Sequence, residues 1–544
     1  MGKGLSRNMT SRRRDCNFGI GFTVNPGEVA RSASLGKALP PSSPQAKEGI
    51  AMKKINIAPP SRNNRTTVAK QPIRIVRGLT VTFFILSLGF AAAGAIAQQS
   101  DRDKGRRGGG GQDGQDGNLA SLDPGPRAGS VGAGTPISGL SPQQIVFFQN
   151  GLSQFNELED VVRTGPGNGG LGPTFNSNSC GSCHSQPAPG GTSPNANAYP
   201  NVGQNPQFTV GQLMGGGNTI PSFITADGPV REVRFKSDSG VHDIFTIAGR
   251  SDAVGCSIAQ PDFAAEAANG NLSFRIPTPV YGAGLIENIA DATIMANLAT
   301  SASRQLGIAG VLNRSGNDGS ITRFGWKAQN KSLVVFAGEA YNVEMGVTSE
   351  LFPNERGYPP TPIPSGCLVN PTPEDRTVFE SNDPTQVSSD VNAFANFMRF
   401  LDQPIPACKG IGCSPEIQSG RAIFTNIGCA NCHTPSMTTG LSGMASGLSQ
   451  VQANLFSDLA LHHMGSNLAD GVSQGNAGPD QFRTAPLWGL GQRIFFMHDG
   501  RSTNLLQAIQ EHAGSGSEAN RVVDTYNQLS RQNKQNLILF LRSL

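Results

Sequence analysis

Two copies of one five-residue pattern constrain this chain more than anything else in it: Cys180-Gly-Ser-Cys183-His184 and Cys429-Ala-Asn-Cys432-His433. CxxCH is the attachment signature of a c-type haem. Its two thiols add to the porphyrin's vinyl groups, and the spacing lets both reach one edge of the ring. The adjacent imidazole then lies beneath the iron as its proximal ligand. One copy alone would read equally well as a redox CxxC or half of a zinc site. Two copies in one chain, each ahead of a capped apolar helix, point to two covalently bound haems c. Cys180, Cys183, Cys429 and Cys432 are then the attachment points, and His184 and His433 the metal ligands.

Those helices set the expected fold. Ser389 precedes Val391, Phe394, Phe397, Met398 and Leu401 at helical spacing, with Pro404 as the stop. Ser530 precedes Leu537, Phe540, Leu541 and Leu544 in the same way. Ser141-Pro142 and Ser414-Pro415 open two more helices, one ahead of each motif. The chain reads as mainly α, with two cytochrome c-like haem domains, residues 136–404 and 405–544. The first carries a large, partly β and irregular insertion: Val230 to Phe235 alternates, Asp243 to Ile247 is strand-like, and 352–376 is Pro-rich.

The N-terminal part reads as an address. Arg74 and Arg77 precede an apolar run from Leu79 to Ala93, and Ala95-Ile96-Ala97 supplies a cleavage site. Residues 1–97 are therefore expected to be a leader with a Sec-type signal peptide, Met52 being a more natural start. The rival reading is an uncleaved anchor, the only route to a membrane. Residues 98–135, polar and Gly-rich, read as a disordered linker. The leader holds fifteen Lys and Arg against three Asp and Glu, so it carries +12 and the remainder −8 of the formal +4. An acidic body argues against nucleic acid as a partner. Export fits the cysteines too: with Cys16 in the leader, Cys256, Cys367, Cys408 and Cys413 remain outside the motifs, an even number for an oxidising compartment. Cys408 and Cys413 are close enough to close a small loop; Cys256 with Cys367 would be the complementary pair, which spacing alone does not fix.

Further stretches carry a resemblance. Arg483-Thr-Ala-Pro-Leu-Trp-Gly-Leu-Gly, Met497-His498-Asp499-Gly500-Arg501 and Leu505 to His512 are similar to the C-terminal half of bacterial di-haem cytochrome c peroxidases. With His242 to Arg250, Arg275 to Glu287, Arg323 to Gln329 and Ser457 to Gly465, the chain looks still more like their longer relatives, the di-haem (thiol oxidoreductase-like) oxidoreductases. The resemblance covers roughly residues 140–544. It implies a periplasmic oxidoreductase that reduces hydrogen peroxide, or another small oxidant, with electrons from a small soluble redox protein. Electrons would pass from the C-terminal haem to the N-terminal one. His512 matches the distal ligand of the C-terminal haem, fourteen residues after the HDG histidine, and stands where the peroxidases have Met. His498 matches a propionate contact, with Arg483 as a second. Glu287 takes the place of the acid/base, and Trp326 that of a relay between haems. The stretch near Tyr199 lacks the displaceable His of the peroxidases, which leaves His242, Met345, Met214 and Tyr341 as candidates for the N-terminal haem's sixth ligand, or an open site. His462-His463-Met464 reads as helical pocket lining. The peroxidases' calcium ion is implied between the domains, although Gln492 to Phe495 lacks the matching Thr and Pro. The alternatives are an oxidase or oxygenase of an organic or protein substrate, and a non-catalytic electron carrier with both irons saturated.

Overall fold

The computed structural model describes residues 122–162, 169–194, 204–298, 301–359 and 361–544. The leader, the proposed signal peptide and most of the linker lie outside them. The helices that build the site are α1 (Pro142–Phe155), α2 (Ala283–Glu287), α3 (Leu333–Met345), α4 (Asp390–Phe400), α5 (Pro415–Asn426), α6 (Leu505–Glu511) and α7 (Arg531–Ser543). Strands are short, and among the described residues they form only two-stranded antiparallel pairs. The longest joins β1 (Glu232–Phe235) to β2 (Leu272–Arg275), with Glu232 opposite Arg275; a second joins β3 (Leu461–His463) to β4 (Gln481–Arg483). The protein is thus mainly helical with small β insertions.

Four of these helices start where their caps predict. Ser141, Ser389, Ser414 and Ser530 each accept a hydrogen bond from the backbone N–H three residues on, which satisfies a donor the helix cannot use itself. Packing then repeats one device. Helix α1 lies across α4, and α5 across α7. Each crossing is made at a glycine: a side chain at Gly151 would meet the Ala393 carbonyl oxygen at 2.2 Å, and one at Gly420 would meet that of Asn536 at 2.0 Å. Close approach brings aromatic rings together below each haem motif. Phe155 sits 4.8 Å from Phe397, and Phe424 5.4 Å from Phe540. Each buried Phe contributes roughly 1.5–3 kcal/mol.

Between α1 and α4 the chain builds a wall from β1, β2, α2 and α3. A disulfide between Cys256 and Cys367 spans 111 residues of it, and Cys408–Cys413 closes the small loop before α5. Residues 352–359 and 361–376 are irregular except for a short 3-10 turn at Ser365–Cys367 and an isolated bridge from Asp375 to Ser349. The last part of the expected linker has fixed contacts: Asp123 pairs with Arg542 at 2.8 Å, both nearly fully buried, and accepts the N–H of Leu505. His462 and His463 lie on a strand, not a helix, so strand alternation buries the first and exposes the second. Among the described residues no helix is long and apolar enough to cross a membrane.

Candidate functional site

Two cavities, with about 1440 and 1000 Å³ of empty space, open above the two CxxCH motifs. Each motif is a tight turn. Cys180–Cys183 forms one helical turn after Ser179, while Cys429–Asn431 follows Gly428, whose φ of 102° suits glycine alone. The four motif thiols are unpaired, whereas the other four described cysteines are bridged. Burial raises all four, Cys183 to about 11 and Cys429 to about 12, so none is a thiolate at neutral pH.

The histidines separate cleanly by what their nitrogens do. The Nδ1–H of His184 donates to Gly191 O (3.2 Å), that of His433 to Phe456 O (3.0 Å), and that of His512 to Ala508 O (2.7 Å). This fixes the tautomer and leaves Nε2 with its lone pair free, the arrangement of a metal-ligating imidazole. Burial pushes His184 and His433 down to about 4, and lowers His512, so all three are neutral at physiological pH. His462 is different. Its Nε2 is taken by Asp458 (2.9 Å) and its Nδ1 by Glu518 (2.8 Å). Burial opposes its charge, but Cys432 and these two carboxylates hold it well above its ordinary value. Cys432, Asp458 and His462 cluster closely enough to suggest a metal, yet both His462 nitrogens are already taken by carboxylates. His463 is tied to Asp480 and Gln481, and His242 to Asp238 while stacked on Phe235.

In the larger cavity His512, at the end of α6, faces His433 with ring centroids 6.4 Å apart. Two imidazoles sharing one metal through nitrogen bonds of about 2.0 Å would put their centroids about 6.3 Å apart. Arg483 and Arg493 line the same cavity, both buried and without an ion pair among the described residues. Burial lowers each to about 10; the charge of Arg493 adds to the cost at Arg483, and Asp458 offsets part of it. Two buried cations without an ion pair among the described residues call for an acidic ligand, which fits haem propionates. His498 lies beside them, stacked on Phe482 at 4.3 Å, and burial takes it down to about 4. Arg493 was missed at the sequence level; its place five residues before the HDG motif was the available signal.

The smaller cavity has one imidazole, His184, among its described lining residues. Helix α3 contributes Phe336, Tyr341 and Glu344, the strands contribute Glu232, Arg234 and Arg275, and Arg231 precedes β1. Glu344 has no hydrogen-bond partner for its carboxyl among the described residues. Burial, then Glu232, Glu339 and Asp243, push it up to about 8. Glu344 is half-buried and lines this cavity. Glu287 is elsewhere: its carboxylate is held by Arg399 Nε (2.7 Å) and by the Leu333 N–H (3.0 Å), and it does not line the cavity. Of the proposed sixth ligands, Met214 and His242 also stand apart, and the Met345 sulfur lies 3.9 Å from Cys180 Sγ. Trp326 is the one described residue that lines both cavities; its Nε1–H donates to Ile276 O (2.9 Å). Near the implied calcium position, Gln186 and Gln492 bury side-chain oxygens without partners, but no acidic cluster joins them among the described residues.

Residues 236–544, more than half of the chain, match the family model described as "Di-haem oxidoreductase, putative peroxidase". The chain belongs to this di-haem oxidoreductase family. It is therefore a redox enzyme. The match includes the second motif and His512 but begins after Cys180, so the first haem site rests on the chain's own residues. No curated protein sequence is significantly similar. Solved structures with some likeness include a MauG-like protein associated with microbial copper homeostasis (19% identity, 30% of this chain and 55% of that one, TM-score 0.22). Others are hydrazine synthase from Kuenenia stuttgartiensis (15%, 49% and 88%, 0.24) and the diheme peroxidase BthA from Burkholderia thailandensis (14%, 49% and 86%, 0.24). The di-haem oxidoreductase thus spans about half the length of the first of these, and TM-scores this low add nothing to the family assignment.

Proposed function

We propose that this chain holds two haems c, by Cys180/Cys183 and Cys429/Cys432, and reduces hydrogen peroxide or a comparably small oxidant in the His184 cavity. One asymmetry supports the reading: His512 faces His433 in one cavity, while the other pairs His184 with a buried carboxyl and no second imidazole among its described lining. Haems bound there would supply the iron redox chemistry. The protein holds, orients and moves protons. His433 and His512 would both ligate one haem iron, which suits electron transfer rather than oxidant binding. Arg483, Arg493 and His498 receive acidic groups at the rim. Trp326 is placed to pass electrons between the cavities.

We assign the acid/base role to Glu344 rather than Glu287. A carboxyl held up to about 8 is protonated at neutral pH and can deliver its proton to a departing oxygen. Glu287 is an Arg399 partner instead. We read 136–404 and 405–544 as two cytochrome c-like domains, each with one α-helix crossing beneath its motif. The leader would export the chain to the periplasm, where a small soluble redox protein donates electrons. Optical and EPR spectra of the ferric protein, titrated with peroxide, test this. The expected outcome is one low-spin haem that peroxide leaves alone and one haem that peroxide changes. Two low-spin haems indifferent to peroxide would replace the reading with an electron carrier.

A further inference from the structure

Tyr341 is 2% exposed, yet it lines the cavity that also holds Cys180, Cys183 and His184. Its ring packs edge-on against Phe394 at 5.0 Å. Its hydroxyl does not point its lone pairs at an unfilled space; it donates to Glu159 Oε1 at 3.1 Å. Glu159 is itself 3% exposed, and its other oxygen accepts the Gly169 N–H at 2.7 Å. Its backbone is tied to Asn178, two residues before Cys180, by N–H to O at 2.8 Å and by the Asn178 amide.

This pair is an expensive way to satisfy a buried phenol. A backbone carbonyl would serve at less cost, whereas a buried carboxylate is unfavourable unless a cation compensates it. Glu159 has no cationic partner among the described residues. Burial and the charges of Asp390 and Glu157 push it up to about 8, against the Gly169 N–H and the Tyr341 hydroxyl, which pull it down. When ionised it is a strong base held against a phenol proton. That is the requirement for oxidising tyrosine, because a phenol that loses an electron must lose its proton as well.

We propose that Tyr341 is a redox-active tyrosine, giving one electron to the cofactor in the His184 cavity and its phenolic proton to Glu159. The inference rests on the peroxide reading of that cavity. Reduction of hydrogen peroxide to two waters takes two electrons and two protons. Tyr341 supplies one of those electrons when the external donor has not. The O–H bond of Tyr341 breaks, the proton bonds to a Glu159 carboxylate oxygen, and a neutral tyrosyl radical remains. Electron return from the donor restores the phenol, and Glu159 gives the proton back. The oxidising equivalent is thereby kept on one buried side chain instead of spreading through the wall.

The test uses the full protein carrying both haems. It is mixed with stoichiometric hydrogen peroxide, freeze-quenched and examined by EPR, with and without ring-deuterated tyrosine. The expected result is an organic radical signal that narrows on deuteration and is lost in Tyr341→Phe. In wild type its yield rises from about pH 7 to about pH 9, as Glu159 ionises, and in Glu159→Gln that rise is absent. Peroxide consumption without a tyrosyl signal, or a signal that survives Tyr341→Phe, overturns this inference alone. Where Tyr341→Phe does not fold, deuteration shows whether a tyrosine carries the radical, and a rise of its yield with pH that persists in Glu159→Gln overturns its assignment to Tyr341. A wild-type protein that neither consumes peroxide nor changes spectrum overturns the peroxide reading, and this inference with it.

Discussion

The two cavities share a floor and differ in what completes them. In each, a capped helix crosses another at a glycine, aromatic rings meet at the crossing, and a CxxCH turn follows. In each, the motif's histidine donates Nδ1–H to a backbone carbonyl. Above that floor the chain diverges. One cavity receives α6, which ends on His512, and two unpaired arginines. The other receives α3 and the β1–β2 pair, which bring Tyr341, Glu344 and paired charges. The lesson is a division of labour. On the proposed reading, the repeated floor would hold a haem in each cavity, and the element laid over it would decide whether that site only passes electrons or meets a proton donor as well.

The comparison breaks most visibly at the attachment points. Replacing Cys429 and Cys432 by Ser should remove one haem equivalent per chain and keep the other, and Cys180/Cys183 should do the converse. Haem content of denatured protein measures this, and a full complement in either variant would sink the two-site reading. Next, Glu344→Gln should lower peroxide turnover roughly 10²- to 10⁴-fold with haem content unchanged. The wild-type rate should also fall as pH rises through about 8, since Glu344 then loses the proton it must donate. The variant's pH profile should lack that limb. An equal loss in Glu287→Gln would return the acid role to that residue.

Two smaller effects sharpen the contrast. Asp470 is buried between Arg275, at the first cavity, and Lys327, whose ammonium sits 4.0 Å over the Phe482 ring that backs His498. Asp470→Ala strands both cations and should cost about 3–5 kcal/mol in denaturant unfolding. A change within error would show that the charges relax into water. Finally, His512→Met should leave that haem low-spin and move its midpoint potential upward, since thioether stabilises ferric iron less than imidazole. A potentiometric titration that finds no shift, or a shift in the other haem, would detach His512 from the second site.

What the sequence made legible was local. Ser141, Ser389, Ser414 and Ser530 announce helices because a cap bonds to its own backbone a turn away. The CxxCH motifs fold as tight turns whose thiols stay outside the disulfides, because each is complete within five residues. What it left obscure depends on partners far along the chain. Glu287 looked like an acid until Arg399, 112 positions on, was seen to neutralise it. Glu344 looked unremarkable because its burial is made by strands from elsewhere. Gly151 and Gly420 gave no sign of being crossing points, since only the carbonyls of Ala393 and Asn536 make them so. His462 and His463 read as helical because adjacent histidines carry no period, and only pairing with β4 makes them a strand.

The bridge from Cys256 to Cys367 has a consequence for where the protein can mature. Arg275, Trp326, Tyr341 and Glu344 all lie between its two ends, and none of the second cavity's haem-holding residues does. A loop of that length is held by about 4–5 kcal/mol of chain entropy in the usual model. In a cytosol rich in thiols, the same polypeptide would therefore assemble its C-terminal pocket and leave the other one slack. A chain made under those conditions would be half-built on one side only, with the proton-handling wall as the missing half.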